Sequence, residues 1–140
     1  RPGRRLLVAS TDGRGFVVEE DGVLSEKRTG KQVLNPANEA ESCVCVAAEG
    51  DSVAVVGDNR RLLLFPAADV PVLARGRGVI LQRFRDGGLS DAKMFNKADG
   101  LSWKTGAGVR NEGAAAEWYG KRSQAGRVVP RGFPKGNKFG

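Results

Sequence analysis

Apolar residues come in short runs separated by turn-forming residues. "RLLVAS" (5–10) is rich in strand-forming side chains and stops at the turn signal "TDGRG". "FVV" (16–18) resumes the strand, so the two runs read as a hairpin. "SVAVVG" (52–57), "DNRR" and "LLLF" (62–65) build a second hairpin the same way. After each hairpin comes a linker, then a turn pairing glycine with a basic residue, then another strand: "QVL" (32–34) or "VIL" (79–81). "SCVCVAA" (42–48) supplies one strand more.

The likeness of the two halves extends to their register. A shift of 46 residues places "LLVASTDGRGFVV" on "SVAVVGDNRRLLL" with no gap. Asp12 then meets Asp58, Arg14 meets Arg60, and Gly30-Lys31 meets Gly76-Arg77. Val33-Leu34 meets Val79-Ile80. Units of about 40–50 residues with about four strands suit propeller-like blades. A small sandwich of two similar halves is the alternative. Because each copy carries its own set of strands, blades are favoured. The expectation is an all-β chain: two repeats (about 4–49 and 50–95) within residues 1–95, then a partial third unit in 96–140. In that last part "ADGLSWKTGAGVR" is one more hairpin, and "EGAAAEWYGKR" (112–122) is a short helix. "AGRVVPRGFPKGNKFG" is an extended basic tail, tied down by Phe133 or Phe139 if at all.

Charge changes the picture. The net charge is +7, and residues 1–91 balance 13 Lys/Arg against 13 Asp/Glu. The excess lies after residue 91, and from Lys121 onward there are six basic residues and no acid. Such a tail is either a solvated end or an arm for a polyanion. No run is apolar and long enough to span a membrane, and no signal peptide opens the chain. The chain starts at Arg1 rather than Met, as a piece of a longer product would. Cys43 and Cys45 lie one residue apart, point the same way on a strand and are poorly placed to bridge each other, so a reducing cytoplasm is expected.

Catalytic chemistry is poorly supported. The chain has no histidine, hence no imidazole base or ligand. Cys43 and Cys45 lack metal partners at usable spacing and are expected as small core residues. Tyr119, Trp103 and Trp118 are expected to pack, although tryptophans can stack on bases. Asp86 and Asp91 flank "GGLS", which is weak ground for acid–base work. "RTGKQ" fails as a phosphate-binding Walker loop: Gln32 stands where Ser or Thr should be, and strands follow instead of a helix. A left-handed turn before a strand explains the glycines of "RTGKQVL" and "ARGRGVI". It does not explain the basic residues beside them. Lys27, Arg28 and Lys31 flank the first turn; Arg75, Arg77, Arg83 and Arg85 flank the second. On blades these turns share a rim, and a row of cations rewards the evenly spaced phosphates of a duplex.

"RLLVASTDGRGFVV", "KRTGKQVLN", "RRLLLFPAADVPVLARGRGVIL" and "DGGLSDAKMF" together resemble the C-terminal domain of the A subunits of bacterial type II topoisomerases. The topoisomerase IV branch is more similar than gyrase. "AEWYGKRSQAGRVVPRGFPKGNKFG" resembles the ending of alphaproteobacterial versions. The resemblance implies a β-pinwheel whose basic outer edge binds and bends duplex DNA. It implies that this fragment is non-catalytic and holds no cofactor. ATP and Mg²⁺ would serve the parent enzyme in strand passage, decatenation and supercoil relaxation. Implied partners are the remainder of the A subunit, its ATPase subunit, and a chromosome-organising protein or regulator, all in the nucleoid-bearing cytoplasm. By position the DNA-facing residues would be Arg14, Lys27, Arg28, Lys31, Arg60, Arg61, Arg75 and Arg77, with Arg83 and Arg85 as weaker additions. The length falls short of a full ring, and the gyrase-box motif for tight wrapping is absent. Two rival readings stay open: a protein-docking module, and a scaffold whose tail alone binds DNA.

Overall fold

The computed structural model describes residues 4–19, 33, 34, 36, 40–106, 108–112 and 115–140. Among the described residues there are ten strands: β1 (Arg5–Ser10), β2 (Arg14–Glu19), β3 (Ser42–Ala47), β4 (Ser52–Gly57), β5 (Arg61–Pro66), β6 (Val79–Ile80), β7 (Leu89–Phe95), β8 (Leu101–Thr105), β9 (Gly108–Glu112) and β10 (Arg127–Val128). They form two four-stranded sheets, β3-β1-β2-β6 and β10-β5-β4-β7, and a β8–β9 hairpin. Every pairing between these strands is antiparallel.

The sheets interlock along the chain. β6 closes the first sheet, yet it follows the hairpin of the second. β10 closes the second, yet it follows the β8–β9 hairpin. The hairpins β1–β2 and β4–β5 thus each have their outer edge covered by a strand from the next unit.

The registers fix the repeat at 47 residues, one more than the apolar runs indicated. Val8 pairs with Phe16 and Val55 with Leu63. The register breaks at Ala9/Ser10 in one sheet and at Val56/Gly57 in the other. Long aliphatic runs slide by one residue with no visible mismatch, but on a strand that slip moves every side chain to the other face. Arg14 therefore corresponds to Arg61, and Arg60 corresponds to Gly13.

With that register the packing is front to back. Leu7, Ala9, Val17 and Val44 of the first sheet pack on Val53, Val55, Leu63 and Phe65 of the second. The first-sheet equivalents of that second set, Leu6, Val8, Phe16 and Val18, lie on the opposite side against Leu34. Non-equivalent faces meet, as in successive propeller blades; a symmetric sandwich would bury equivalent ones. The second sheet's other face, Ala54, Val56, Leu62 and Leu64, is covered by Leu101, Trp103, Val129, Phe133 and Phe139. The all-β, propeller-like expectation holds. Contact between the two sheets concentrates where β3 meets β7.

The C-terminal part differs from expectation. The helix expected over 112–122 is a single 3-10 turn, Ala115–Trp118. Tertiary contacts override the alanines' helix propensity. Tyr119 bridges to Leu64, Gly120 N donates to Leu64 O at 2.8 Å, and Tyr119 Oη lies 2.8 Å from Ser52 Oγ. The tail is docked rather than free: Phe133 and Phe139 are buried, Phe133 5.2 Å from the Trp103 ring. Cys45 is half-buried against the cluster of Leu6, Val8 and Phe16, in line with a packing role, whereas Cys43 is exposed and is not the small core residue expected.

Candidate nucleic-acid interface

Arg14 opens β2 opposite Ile80, and Arg61 opens β5 opposite Val128. They hold the same place on successive blades. Arg75 and Arg77 are exposed on the approach to β6. Between Arg77 and the strand, Gly78 has φ +78°, and a Cβ there would sit 2.1 Å from Gly15 O. Gly126, before β10, has φ +86° and would meet Leu62 O at 2.5 Å. These glycines let the chain graze the neighbouring strand before pairing with it. Gly76-Arg77-Gly78 is thus a turn into a strand; its arginines are what remain for function.

Arg83 and Arg85 are exposed on the segment that crosses between the two hairpin turns. That segment is pinned by Leu81 N to Gly13 O (2.7 Å) and Asp58 N to Gly88 O (2.9 Å). Buried Gln82 donates through Nε2 to Arg61 O and Ala125 O, both at 3.0 Å. Arg83 lines a hollow of about 330 Å³ with Arg14, and another of about 420 Å³ with Arg127. Arg14, Arg83 and Arg127 therefore follow one another across the junction of the blades, on the β6/β10 side. The sequence reading missed Arg127. Its signal was "AGRVV", a third copy of the glycine turn before a strand.

Arg60 is placed differently. Its Nη1 donates to Pro134 O (2.8 Å) and Asn137 Oδ1 (3.0 Å), and its Nη2 to Phe133 O (3.1 Å). The guanidinium is a clamp on the tail. Lys27, Arg28 and Lys31 lie outside the described residues.

Among the described residues, Arg61, Arg75, Arg77, Arg83 and Arg85 have no carboxylate partner; Arg5 and Glu19 pair at 3.5 Å elsewhere. Acids are not wholly segregated: Asp12 lines the hollow with Arg14, and Glu117 lines that with Arg127. Asp12 is partly occupied as a turn cap, its Oδ1 accepting from Ser10 Oγ and Arg14 N. Other titratable groups lie away from this edge. Backbone donation from Lys97, then the Ser52 hydroxyl, holds Asp51 below the usual carboxylate range. Desolvation lowers Lys93, whose Nζ donates to Ser102 O at 3.0 Å. Cys43 is exposed as a residue, but its sulfur faces Leu89 O at 3.8 Å, and that local desolvation pushes the thiol up to about 11; desolvation is also the largest cause raising the Tyr119 phenol. None of these groups sits beside a base, so the assembled chemistry is electrostatic.

The family described as DNA gyrase C-terminal domain, beta-propeller, matches residues 4–44 and 51–89. The chain belongs to the DNA gyrase C-terminal domain family. The A subunit of DNA topoisomerase 4 from Rickettsia prowazekii is 44% identical over 140 residues, covering 99% of this chain and 19% of the relative. That of Caulobacter vibrioides is 43% identical over 140 residues, covering 99% of this chain and 18% of the relative. The chain thus spans about a fifth of the length of the curated relatives it matches. The E. coli ParC C-terminal domain superposes with a TM-score of 0.74 at 22% identity, covering 96% of this chain and 59% of that one. That last likeness speaks for the fold. The resemblance to topoisomerase IV A subunits of the alphaproteobacterial type holds, and the chain is an accessory domain of the gyrase-like kind. Among the described residues no helix is long and apolar enough to cross a membrane.

Proposed function

We propose that the β6/β10 edge binds and bends duplex DNA by neutralising its phosphates, presenting it for ATP-dependent strand passage by a topoisomerase IV. The observation that carries this reading is the set of arginines on that edge, contributed by successive blades: Arg61, Arg75, Arg77, Arg83 and Arg85 are exposed and without carboxylate partners among the described residues, and Arg14 is half-buried with Nη1 donating to Gly78 O at 3.5 Å. Arg14, Arg61, Arg75, Arg77, Arg83, Arg85 and Arg127 form the proposed contact set. Arg60 is left out because its donors serve the tail. Phosphate contacts carry no direct sequence information, so discrimination between duplexes is expected only through their ease of bending. The rest of the A polypeptide, the ATPase partner, a chromosome-organising protein or regulator, ATP, Mg²⁺ and a nucleoid setting in the cytoplasm belong to the parent enzyme in this reading. The division into residues 1–95 and 96–140 is kept as a functional proposal only, since β10 completes the sheet of β4, β5 and β7.

The test is duplex affinity against salt concentration for the whole chain and for Arg75→Glu/Arg77→Glu. The charge reversal should weaken binding to all duplexes alike and flatten the salt slope by roughly two. Loss on one sequence only, or no loss, would sink the proposal. Cutting the tail is a poor way to ask whether it binds DNA alone, because Phe133 and Phe139 leave the core with it. Neutralising exposed Arg131 and Lys135 to Gln asks that question in a folded chain.

A further inference from the structure

The edge of β2 is covered by β6 and that of β5 by β10. Among the described residues β9 has no such cover; it pairs with β8 alone. The ladder pairs Thr105 with Gly108 at the turn, Trp103 with Arg110 and Leu101 with Glu112. If the pair next to the tight turn exchanges hydrogen bonds, alternation turns the backbone groups of Val109 and Asn111 outward. Among the described residues these groups have no backbone partner, and Val109 is 70% exposed, the most exposed large hydrophobic described. Open edges of this kind recruit strands.

We propose that β9 pairs with β9 of a second copy, antiparallel about a twofold axis at Asn111. The result is a β8-β9-β9-β8 sheet of four antiparallel strands, the strand number of the two complete blades. Two half-blades make one whole. Charge supports the register: centring on Asn111 sets Arg110 opposite Glu112 of the second copy, twice over. Centring on Arg110 would set that arginine against itself. Cross-strand pairs of opposite charge stabilise and like pairs do the reverse. The short ladder makes a weak dimer.

Sedimentation of the full chain over a wide concentration range tests this. A reversible monomer–dimer shift is expected. Val109→Pro removes one outward N–H, as edge strands tolerate, and should abolish the shift; Val109→Lys should do the same if the proline variant fails to fold. Glu112→Lys alone and Arg110→Glu alone should each weaken the dimer about tenfold by setting like charges opposite. An equal mixture of those two variants should restore it, since both cross-strand pairs become opposite in sign. A monomer at every concentration overturns the proposal. So does a dimer indifferent to both Val109 variants, or a mixture that fails to re-form.

Discussion

The turn at Asp12–Gly13–Arg14 and the turn at Asn59–Arg60–Arg61 occupy the same place on successive blades and fill it with different residues. Both need a left-handed residue at the centre: Gly13 has φ +88° and Arg60 φ +61°. Both offer that residue's carbonyl to the strand-closing segment, Gly13 O to Leu81 N (2.7 Å) and Arg60 O to Val129 N (2.9 Å). The surroundings differ. A Cβ at Gly13 would lie 2.4 Å from Gln82 O and 2.8 Å from the Phe84 ring. At Arg60 the side chain has room and reaches three acceptors in the tail. One backbone task is shared, and what crosses above the turn decides whether a side chain is excluded or used.

Making the first turn like the second should produce the largest effect. Gly13→Arg must displace backbone as well as the Phe84 ring, and we expect a loss of about 3 kcal/mol or more, read from urea midpoints. A mild loss would mean that the 81–88 segment yields easily. The converse, Arg60→Gly, relieves backbone strain of about 1 kcal/mol but strands buried acceptors, for a net loss of roughly 1–2 kcal/mol. A net gain in stability would show that the tail clamp contributes nothing.

Arg60 also shows where the sequence stops being informative. The strands of both hairpins were legible because apolar runs ended at turn residues, and "KTGAG" marked the third hairpin. The one-residue slip was not, because "LLVA" and "SVAVV" match in either register. That slip paired Arg14 with Arg60, and so a structural clamp looked like a phosphate contact. Arg60 and Arg61 are adjacent and chemically identical; only the tail carbonyls separate their roles, and those arrive from more than seventy residues away. Phe133 and Phe139 were readable as anchors. β10 was not, since a two-residue strand carries too little pattern to stand out from a basic tail.

The two arginines sharpen the comparison in solution. Arg61→Met should lower the salt slope of duplex binding by about one, as loss of one phosphate contact does. Arg60→Met should leave the slope unchanged while costing about 1–3 kcal/mol of stability. Equal slopes in the two variants would place both arginines, or neither, on the DNA.

The smallest effect concerns the cap of each turn. Asp12 and Asn59 are equivalent, and each side-chain oxygen accepts from the backbone two residues on: Arg14 N at 3.3 Å and Arg61 N at 3.1 Å. Asn59 shows that an amide suffices for this geometry, so Asp12→Asn should leave the urea midpoint nearly unmoved. It should nonetheless act on binding, because Asp12 shares a hollow with Arg14 and Arg83. Removing its charge should tighten duplex binding about two- to threefold at low salt, and the gain should shrink as salt screens the site. Unchanged affinity would take that hollow off the DNA path. A steep loss of stability would mean that the first turn needs a charge where the second does not, and the equivalence of the caps would fail.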